Sequence, residues 1–525
     1  MKRLAVLNSD KIIILGLVLV SLLKFADLSG GFVLAEPDTV THIEIVNNFR
    51  DKLYPMWSGL GWYFGLPLYM FLGYLVDLVL NNTSLSLIVV SILASIGLNL
   101  GIYCYVARKI NRTAALFAAL AFLLSPSAIF YSRMGLIEMT VMLFAFLFLF
   151  LFDLGVRHKN WKLIILGGIS LGAGILTKYT ALIFCLVPVI YFAFELLKNL
   201  VIQKTKFVKK LSWLTFPFWS SVLTGVLAII IPLPVVAYFL IVDPIRFKLL
   251  TKASVLESPE FWGPVGIHFY FSEYAQQLSF LVGSVMLIAA LLGIVYIFVE
   301  KKSEWVLFLT AMLTAGFFVV KRNPYPRYFV ILIPFFAILA GLGAYFLYKL
   351  ITFNLRGYKA INLGGCLLLF VLLSIPEAYY SFASANHQLV EDTANYLKKV
   401  NTQSKPVFST YWPNLFAYAG TGERTSWLTD SAWDVGAFGK NWPEGLNSLQ
   451  VLIKEGGYVI IEDRYSNYLW DEMDRVAKVT SNVRKQPSEL IAKTKEPIMV
   501  IKDNRPNFPY FSNTWENTIK IYEYR

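Results

Sequence analysis

Three acidic side chains stand at the edges of long apolar runs and could perform acid–base chemistry. Glu36 and Asp38 follow the first apolar run of this 525-residue chain, and Glu138 precedes a later run, Met139 to Leu154. Charges beside a bilayer are costly and usually mark function. A carboxylate held there can remove a proton from an acceptor or bind a cation. These three residues are therefore the candidate catalytic groups.

Basic and aromatic side chains occupy the same kind of position. The candidates for substrate binding are Arg133, Lys178, Tyr179, Lys321, Arg327 and Tyr328. Lys321 and Arg327 fall on the side of the membrane that should be poor in positive charge, which favours an anion site. Such cations bind phosphate or pyrophosphate through charge-assisted hydrogen bonds. A lipid-linked phosphate donor at the membrane surface would engage both the acids and the cations.

The residues that follow Asp38 have the spacing of an amphipathic helix. Asp38 and Thr39 suit a helix cap, and apolar residues recur at helical spacing between Val40 and Leu53. We predict an interfacial helix that holds Asp38 and His42 one turn apart on one face. On this spacing His42 is a candidate hydrogen-bonding partner for an acceptor or a sugar. The alternative is an ordinary capped amphipathic helix.

Single charges also have ordinary structural explanations. Glu138 could pair with Arg133 at the end of its helix. Lys178 follows an apolar run and could extend its side chain to the interface, as lysines often do at helix ends. Spacing alone leaves these alternatives open.

The elements that must position these residues are mostly transmembrane helices. The chain is 57% hydrophobic and only 15% charged, whereas soluble domains carry about 25% charged residues. Because a helix needs about 20 apolar residues to cross a bilayer, the apolar runs predict about eleven such helices. They cover approximately residues 12–27, 85–107, 114–131, 137–154, 161–177, 180–198, 214–241, 278–299, 304–320, 328–348 and 360–378.

The distribution of charge predicts the orientation. Of 47 basic and 34 acidic residues, 17 of each lie from Tyr379 to Arg525, so the whole excess of +13 belongs to the helical part. If the helices alternate, the basic clusters share one side, which should be cytoplasmic. The segment Gly61 to Leu80 is also apolar, but a span there would move the later clusters outside. We therefore predict that it lies in the outer interface; the alternative is a twelfth span.

The predicted fold class is a polytopic α-helical membrane protein with a small C-terminal α/β domain. Residues 1–378 form the transmembrane catalytic domain, whose outer loop 28–84 contains interfacial helices, and residues 379–525 form the extracytoplasmic domain. The chain should cross the cell (plasma) membrane several times, with a cytoplasmic N-terminus. The predicted elements of the tail are a helix over Leu389 to Val400 and strands over Pro406 to Tyr411, Tyr458 to Glu462, Ile498 to Lys502 and Ile519 to Tyr524.

In their order, these motifs resemble the GT-C superfamily of membrane glycosyltransferases. More narrowly, the chain is similar to the branch of protein O-mannosyltransferases and lipid A aminoarabinose transferases. The resemblance rests on the acidic motif of the first outer loop, Phe64-Gly65-Leu66-Pro67-Leu68-Tyr69, Ala107-Arg108-Lys109, Ser125-Pro126, Arg133 with Glu138, Leu176-Thr177-Lys178, Arg327-Tyr328 with Pro334, and the soluble C-terminal part. It covers nearly the whole chain.

The resemblance implies an activity and residue roles. Such enzymes move a sugar from a polyprenyl-phosphate carrier to an extracytoplasmic acceptor, usually with inversion at the anomeric carbon. Asp38 matches the first-loop acid, the expected general base, and Glu138 matches a second acid of the same cavity. Lys178, and Arg327 with Tyr328, match positions near the carrier phosphate. Family members commonly have an Asp-Glu pair in the first loop, whereas this chain has Asp38-Thr39 preceded by Glu36.

The expected partners are a polyprenyl-phosphate sugar donor, a lipid, glycan or protein acceptor, and membrane lipids. The charge distribution argues against nucleic acid. No cofactor is predicted; no clustered ligand set indicates a metal, although a divalent ion stays open because some members of the superfamily use one. The loop Asp243 to Gln277 is a candidate cover for the site. A transporter or flippase of lipid-linked sugars is the main alternative function, and a non-catalytic scaffold is a second one.

Overall fold

The fold is described from a computed structural model of the chain. The residues it describes are 2–26, 28, 37–52, 56–57, 60–61, 67–202, 207–242, 278–279, 281–299, 305–321, 326–354, 359–384, 389–409, 420–421, 425–427, 456–462, 496–503 and 517–524. They divide into two compact units. One comprises Met1–Asp27 with His42–Phe382, and the other comprises Leu28–Thr41 with Ala383–Arg525.

Helices dominate the first unit. They are α1 (Lys2–Ser21), α2 (Pro37–Lys52, which begins in the second unit), α3 (Leu68–Leu80), α4 (Thr83–Lys109), α5 (Arg112–Leu124), α6 (Pro126–Ser132), α7 (Glu138–His158), α8 (Trp161–Thr177), α9 (Leu186–Ile202), α10 (Phe207–Ile230), α11 (Leu233–Val242), α12 (Ser284–Val299), α13 (Val306–Lys321), α14 (Pro326–Phe329), α15 (Ile333–Asn354) and α16 (Lys359–Ser384). Short 3₁₀ helices cover Leu22–Phe25, Tyr179–Cys185 and Val330–Leu332, and a two-stranded hairpin joins β1 (Met56–Trp57) to β2 (Leu60–Gly61).

Six described stretches are long and apolar enough to cross a membrane. They are Thr83–Lys109, Glu138–His158, Tyr179–Leu197, Phe216–Tyr238, Arg327–Thr352 and Asn362–Tyr379. A seventh is obtained if α5 and α6, which meet at an angle of 59°, count as one span. The bend follows from Pro126, which forces Ser125 before it into an extended conformation.

The predicted membrane character agrees with these helices, and the number of eleven stays a prediction. Three predicted spans correspond to the shorter helices α8, α12 and α13, of 17, 16 and 16 residues.

The central helices of the first unit pack closely because small residues line their contacts. α12 lies along α15, and α5 contacts the other side of α15. A side chain on Gly293 would collide with the carbonyl oxygen of Leu339, and one on Gly343 with that of Ala289. Small residues at such positions let helix backbones approach each other directly, as is common inside membranes.

An antiparallel hairpin of α7 and α8 positions the acid Glu138. Only Lys159 and Asn160 separate the two helices, and Lys159 adopts the left-handed conformation (φ 48°) that ends α7. Asn160 caps α8 by accepting a hydrogen bond from the backbone N–H of Lys162. Because the helices run side by side in opposite directions, the first residue of α7 and the residue after α8 meet at the same end.

The first loop contains α2 and α3. α2 confirms the helix predicted from the spacing after Asp38. α3 has 13 residues, about 20 Å at 1.5 Å per residue, which is short of the roughly 30 Å hydrocarbon core. The Thr83 hydroxyl at the start of α4 donates to Asn47 Oδ1 of α2 over 3.0 Å, and Arg50 Nη1 of α2 lies 3.8 Å from Asp77 Oδ2 of α3.

The second unit contains the C-terminal sheet. Its elements are α17 (Leu389–Val400), β3 (Val407–Ser409), β4 (Thr425–Trp427), β5 (Gly457–Glu462), β6 (Met499–Asp503) and β7 (Asn517–Tyr524). The strand order is β4-β3-β5-β7-β6, in which β4, β3 and β5 are parallel and β7 is antiparallel to both its neighbours. Val459 and Ile460 of β5 and Ile521 of β7 are buried.

Candidate active site

An ion pair joins the open ends of the α7–α8 hairpin. Glu138 begins α7, and Lys178 follows the last residue of α8. Lys178 Nζ lies 2.7 Å from Glu138 Oε1, and the two side chains are 15% and 7% exposed. An acid at a helix N-terminus and a cation at a helix C-terminus are each stabilised by the helix dipole. Each charge is therefore stabilised by its own helix end as well as by the other charge.

A second cation approaches this pair from the segment that leads into α15. Arg327 and Tyr328 belong to the short helix α14. The Tyr328 ring is close to two positive charges: Lys178 Nζ is 5.7 Å and Arg327 Cζ 5.6 Å from the ring centroid. A cation over an aromatic ring is attracted by about 0.5–1 kcal/mol, and by about 2 kcal/mol when it is desolvated. One aromatic ring thus attracts both cations.

These residues line one pocket. Its lining consists of Glu138, Val141, Met142, Lys178, Thr180, Arg327, Tyr328, Val330 and Ile331, and it encloses about 310 Å³ of empty space, including space open to the exterior. The polar members cluster together, and the remaining wall is apolar. Of the predicted site residues, the structure therefore brings together Glu138, Lys178, Arg327 and Tyr328.

Arg133 contacts the backbone at the end of the first helix. It is completely buried, and its Nη1 donates to the carbonyl oxygens of Lys24 and Ala26, both over 2.8 Å. The guanidinium thereby satisfies carbonyls left over at a helix end. Glu138 forms an ion pair with Lys178, 40 residues away. A role of Arg133 in substrate binding stays a prediction.

His42 lies in a buried polar network next to the turn that precedes Glu138. Its side chain is 3% exposed, and its Nδ1 is 3.1 Å from the carbonyl oxygen of Gly135. The imidazole stands edge-on to the Tyr69 ring, with 5.5 Å between centroids. Sequence reasoning identified His42 from its spacing to Asp38 but could not identify the backbone that it contacts.

Several predicted residues fall partly or wholly outside the described residues. Glu36 lies outside them, and so does the loop Asp243 to Gln277. Asp38 is the second residue of α2 and Lys321 the last residue of α13, but their side chains lie outside the description. Tyr179 is half-buried directly after Lys178, and it is Thr180 that lines the pocket.

Two polar residues were missed by sequence reasoning. Thr180 is buried in the pocket wall, in the 3₁₀ turn after Lys178. Lys24 is 5% exposed, and its Nζ donates to Ser95 Oγ over 2.6 Å and to the carbonyl oxygen of Ala128 over 3.4 Å. A lysine in the last turn of an apolar helix looks like an interfacial residue, so only the position of Lys24 inside the predicted span could have drawn attention to it.

The charges of the pocket suit an anion. Within the described ranges, no three His, Cys, Asp or Glu side chains lie close enough together to hold a metal. Lys178 has three N–H donors, one of which is directed at Glu138 Oε1. A phosphate oxygen could therefore be bound without breaking the ion pair.

Comparisons with known proteins identify the fold. The family described as dolichyl-phosphate-mannose-protein mannosyltransferase matches residues 66–235, a stretch that includes Glu138 and Lys178. A search of curated protein sequences finds no match.

Solved membrane enzymes are similar over most of the chain. An oligosaccharyltransferase from Archaeoglobus fulgidus in the apo form has a TM-score of 0.59 and 12% identity, over 86% of this chain and 69% of that chain. The oligosaccharyltransferase AglB from the same organism, with an inhibitory peptide and a dolichol-phosphate, has a TM-score of 0.57 and 12% identity over the same shares. ArnT from Cupriavidus metallidurans bound to undecaprenyl phosphate has a TM-score of 0.55 and 15% identity over 98% of both chains.

Likeness at these identities establishes the fold. The chain has the fold of the GT-C membrane glycosyltransferases, and the resemblance predicted from its sequence is confirmed. It is a multi-pass membrane protein.

Proposed function

We propose that the protein is a glycosyltransferase that moves a sugar from a polyprenyl-phosphate carrier to an extracytoplasmic acceptor. The observation that carries this proposal is the pocket in which Glu138, Lys178, Arg327 and Tyr328 converge. Two cations beside one acid, at the ends of apolar helices, suit a lipid-linked phosphate. Proteins of the same fold have been solved with dolichol-phosphate and with undecaprenyl phosphate, which supports this class of donor.

In this proposal Lys178 and Arg327 hold the phosphate of the carrier. Their charges stabilise the negative charge that develops on the phosphate oxygen as the bond to the sugar breaks. Because polyprenyl phosphate then leaves as an anion, no general acid is needed. The apolar wall formed by Val141, Met142 and Ile331 suits the lipid that follows the phosphate.

Asp38 is proposed as the general base. It takes the proton of the acceptor group, whose freed electron pair attacks the anomeric carbon from the side opposite the phosphate, which inverts the configuration. The electron pair of the broken bond leaves with the polyprenyl phosphate. General-base catalysis of this kind contributes about 10²–10⁴-fold in rate. Glu138 is proposed to line the same cavity and to orient Lys178, from which it is 2.7 Å away.

The remaining assignments are proposals on the same basis. The site faces the non-cytoplasmic side, the N-terminus is cytoplasmic, and residues 379–525 form an extracytoplasmic domain. Lys321 and Tyr179 are proposed to lie near the donor, and Glu36 to stand in for the second acid of the first-loop motif. The acceptor is a protein, a lipid or a glycan.

Release of free polyprenyl phosphate from a panel of labelled polyprenyl-phosphate sugars tests the proposal. Purified wild type and Asp38→Asn would be compared, with crude membrane lipid and protein as acceptors. The proposal expects wild type to release the carrier and to label a new product, and the variant to do neither. Movement of intact donor across vesicle membranes without release would instead identify a transporter.

A further inference from the structure

The turn between α6 and α7 is held from several sides, although it is only five residues long. Arg133 at its start donates to the backbone at the end of the first helix. The carbonyl oxygen of Gly135 lies 3.1 Å from His42 Nδ1, and the carbonyl oxygen of Leu136 accepts from Ser91 Oγ over 2.8 Å. Because a carbonyl oxygen can only accept, Nδ1 is the protonated nitrogen of His42. The two carbonyl oxygens shortly before Glu138 are thus both fixed by side chains.

The donors of these two hydrogen bonds are themselves connected through Tyr69. The Tyr69 ring stands edge-on to His42. Its hydroxyl lies 3.0 Å from both the Leu87 carbonyl oxygen and Ser91 Oγ. His42, Tyr69 and Ser91 are all buried. Buried networks of this kind fix a single arrangement when their members are satisfied.

We propose that His42 is a positioning residue for the proposed reaction: through the Gly135 carbonyl it fixes the turn that sets the place of Glu138. This inference rests on the proposed function. The observations that carry it are the burial of His42 and the direction of Nδ1 toward the backbone of the turn.

The same hydrogen bond joins His42 to the turn that precedes Glu138. His42 follows Asp38 by four residues in α2, and Gly135 precedes Glu138 by three residues. A single contact between side chain and backbone thereby restrains the turn that leads into α7. A displacement of a reacting group by about 1 Å can lower the rate about 10²-fold. Removing a restraint of this kind should therefore have a measurable effect.

Two variants of His42 separate the hydrogen bond from the ring. His42→Asn keeps an N–H donor at the place of Nδ1 and removes the ring, whereas His42→Phe keeps a ring against Tyr69 and removes the donor. We expect His42→Phe to lower kcat of sugar transfer about 10–100-fold with unchanged acceptor KM. His42→Asn should retain most of the wild-type kcat. Ser91→Ala, which removes the donor to Leu136, should lower kcat in the same direction.

Coupling to Glu138 distinguishes positioning from general destabilisation. If His42 acts through Glu138, His42→Phe should cost little further rate in a Glu138→Gln background, because interacting residues are not additive. A full, additive loss in that background would overturn the inference. A raised acceptor KM at unchanged kcat would also overturn it, since it would identify His42 as a ligand of the acceptor.

Amide hydrogen exchange tests the inference without any substrate. Residues 133–141 should exchange faster in His42→Phe than in His42→Asn or wild type, because the turn has lost one of its restraints. Unchanged exchange in His42→Phe would overturn the inference even if sugar transfer is confirmed. A wild type that transfers no sugar would refute the proposed function, and the exchange experiment would still show whether His42 restrains the turn.

Discussion

Replacing Lys178 with methionine should separate the catalytic role of this residue from its structural one. The change removes the ammonium group, whose Nζ lies 2.7 Å from Glu138 Oε1 and 5.7 Å from the centroid of the Tyr328 ring. A unit charge about 4 Å from a phosphate oxygen contributes about 4 kcal/mol at an effective dielectric constant of 20. Since about 1.4 kcal/mol corresponds to a factor of ten, we expect kcat/KM for the donor to fall about 10²–10³-fold.

The same variant should also be less stable. Removing one partner of a buried ion pair usually costs about 3–5 kcal/mol, because the other charge stays in a medium of low dielectric constant. The double variant Lys178→Met/Glu138→Gln removes both charges at similar side-chain volume. We expect it to recover most of the thermal stability of the wild type while it stays inactive.

Two assays on each protein check this prediction. Thermal unfolding in lipid-supplemented detergent gives the apparent Tm, and release of labelled polyprenyl phosphate gives kcat/KM. Lys178→Arg is the matched control, because it keeps the charge and should keep part of the activity. Wild-type release by Lys178→Met would refute the phosphate-binding role. Recovery of release in the double variant would show that the lysine acts only by neutralising Glu138.

Three further predictions concern the pocket and the helix core. Arg327→Met should raise the donor KM about tenfold or more, since a hydrogen bond to a charged group contributes about 1.5–3 kcal/mol. Arg327→Lys should recover part of the loss, and an unchanged KM in Arg327→Met would exclude Arg327 from the phosphate site. Tyr328→Phe should bind the donor as tightly as wild type, and Tyr328→Leu about fivefold more weakly, because the ring rather than the hydroxyl attracts the cations. Titration with donor checks this: weakened binding in Tyr328→Phe would identify the hydroxyl as the ligand. Gly293→Val should lower the free energy of unfolding by about 1–3 kcal/mol, and with it the apparent Tm, because the new Cβ would collide with the Leu339 carbonyl. An unchanged Tm would contradict the close packing of α12 and α15.

Local patterns predicted the regular elements well. The helix after Asp38 and the helix Leu389–Val400 are found where their periodicity indicated. Strands β3, β5, β6 and β7 overlap the four predicted runs. β4, Thr425–Trp427, was not among the predicted strands. The sequence could not predict which helix faces contact lipid and which contact other helices, because both kinds of face are apolar.

The partners of the site residues were harder to predict than the residues themselves. Glu138 and Lys178 stood out as charges at the ends of apolar runs, yet the two residues are 40 positions apart and their pairing depends on the antiparallel packing of α7 against α8. Contacts to backbone atoms leave no trace in residue types, so the carbonyl partners of Arg133 and His42 could not be read from spacing.

The most direct test of the central claim is a cryo-EM structure of the protein with a bound polyprenyl phosphate. The phosphate should lie in the pocket of Glu138, Lys178, Arg327 and Tyr328, with its oxygens within about 4 Å of Lys178 Nζ and of the Arg327 guanidinium, the usual limit for an ion pair. The lipid chain should leave along the apolar wall. A phosphate bound elsewhere in the protein, with this pocket empty, would contradict the account.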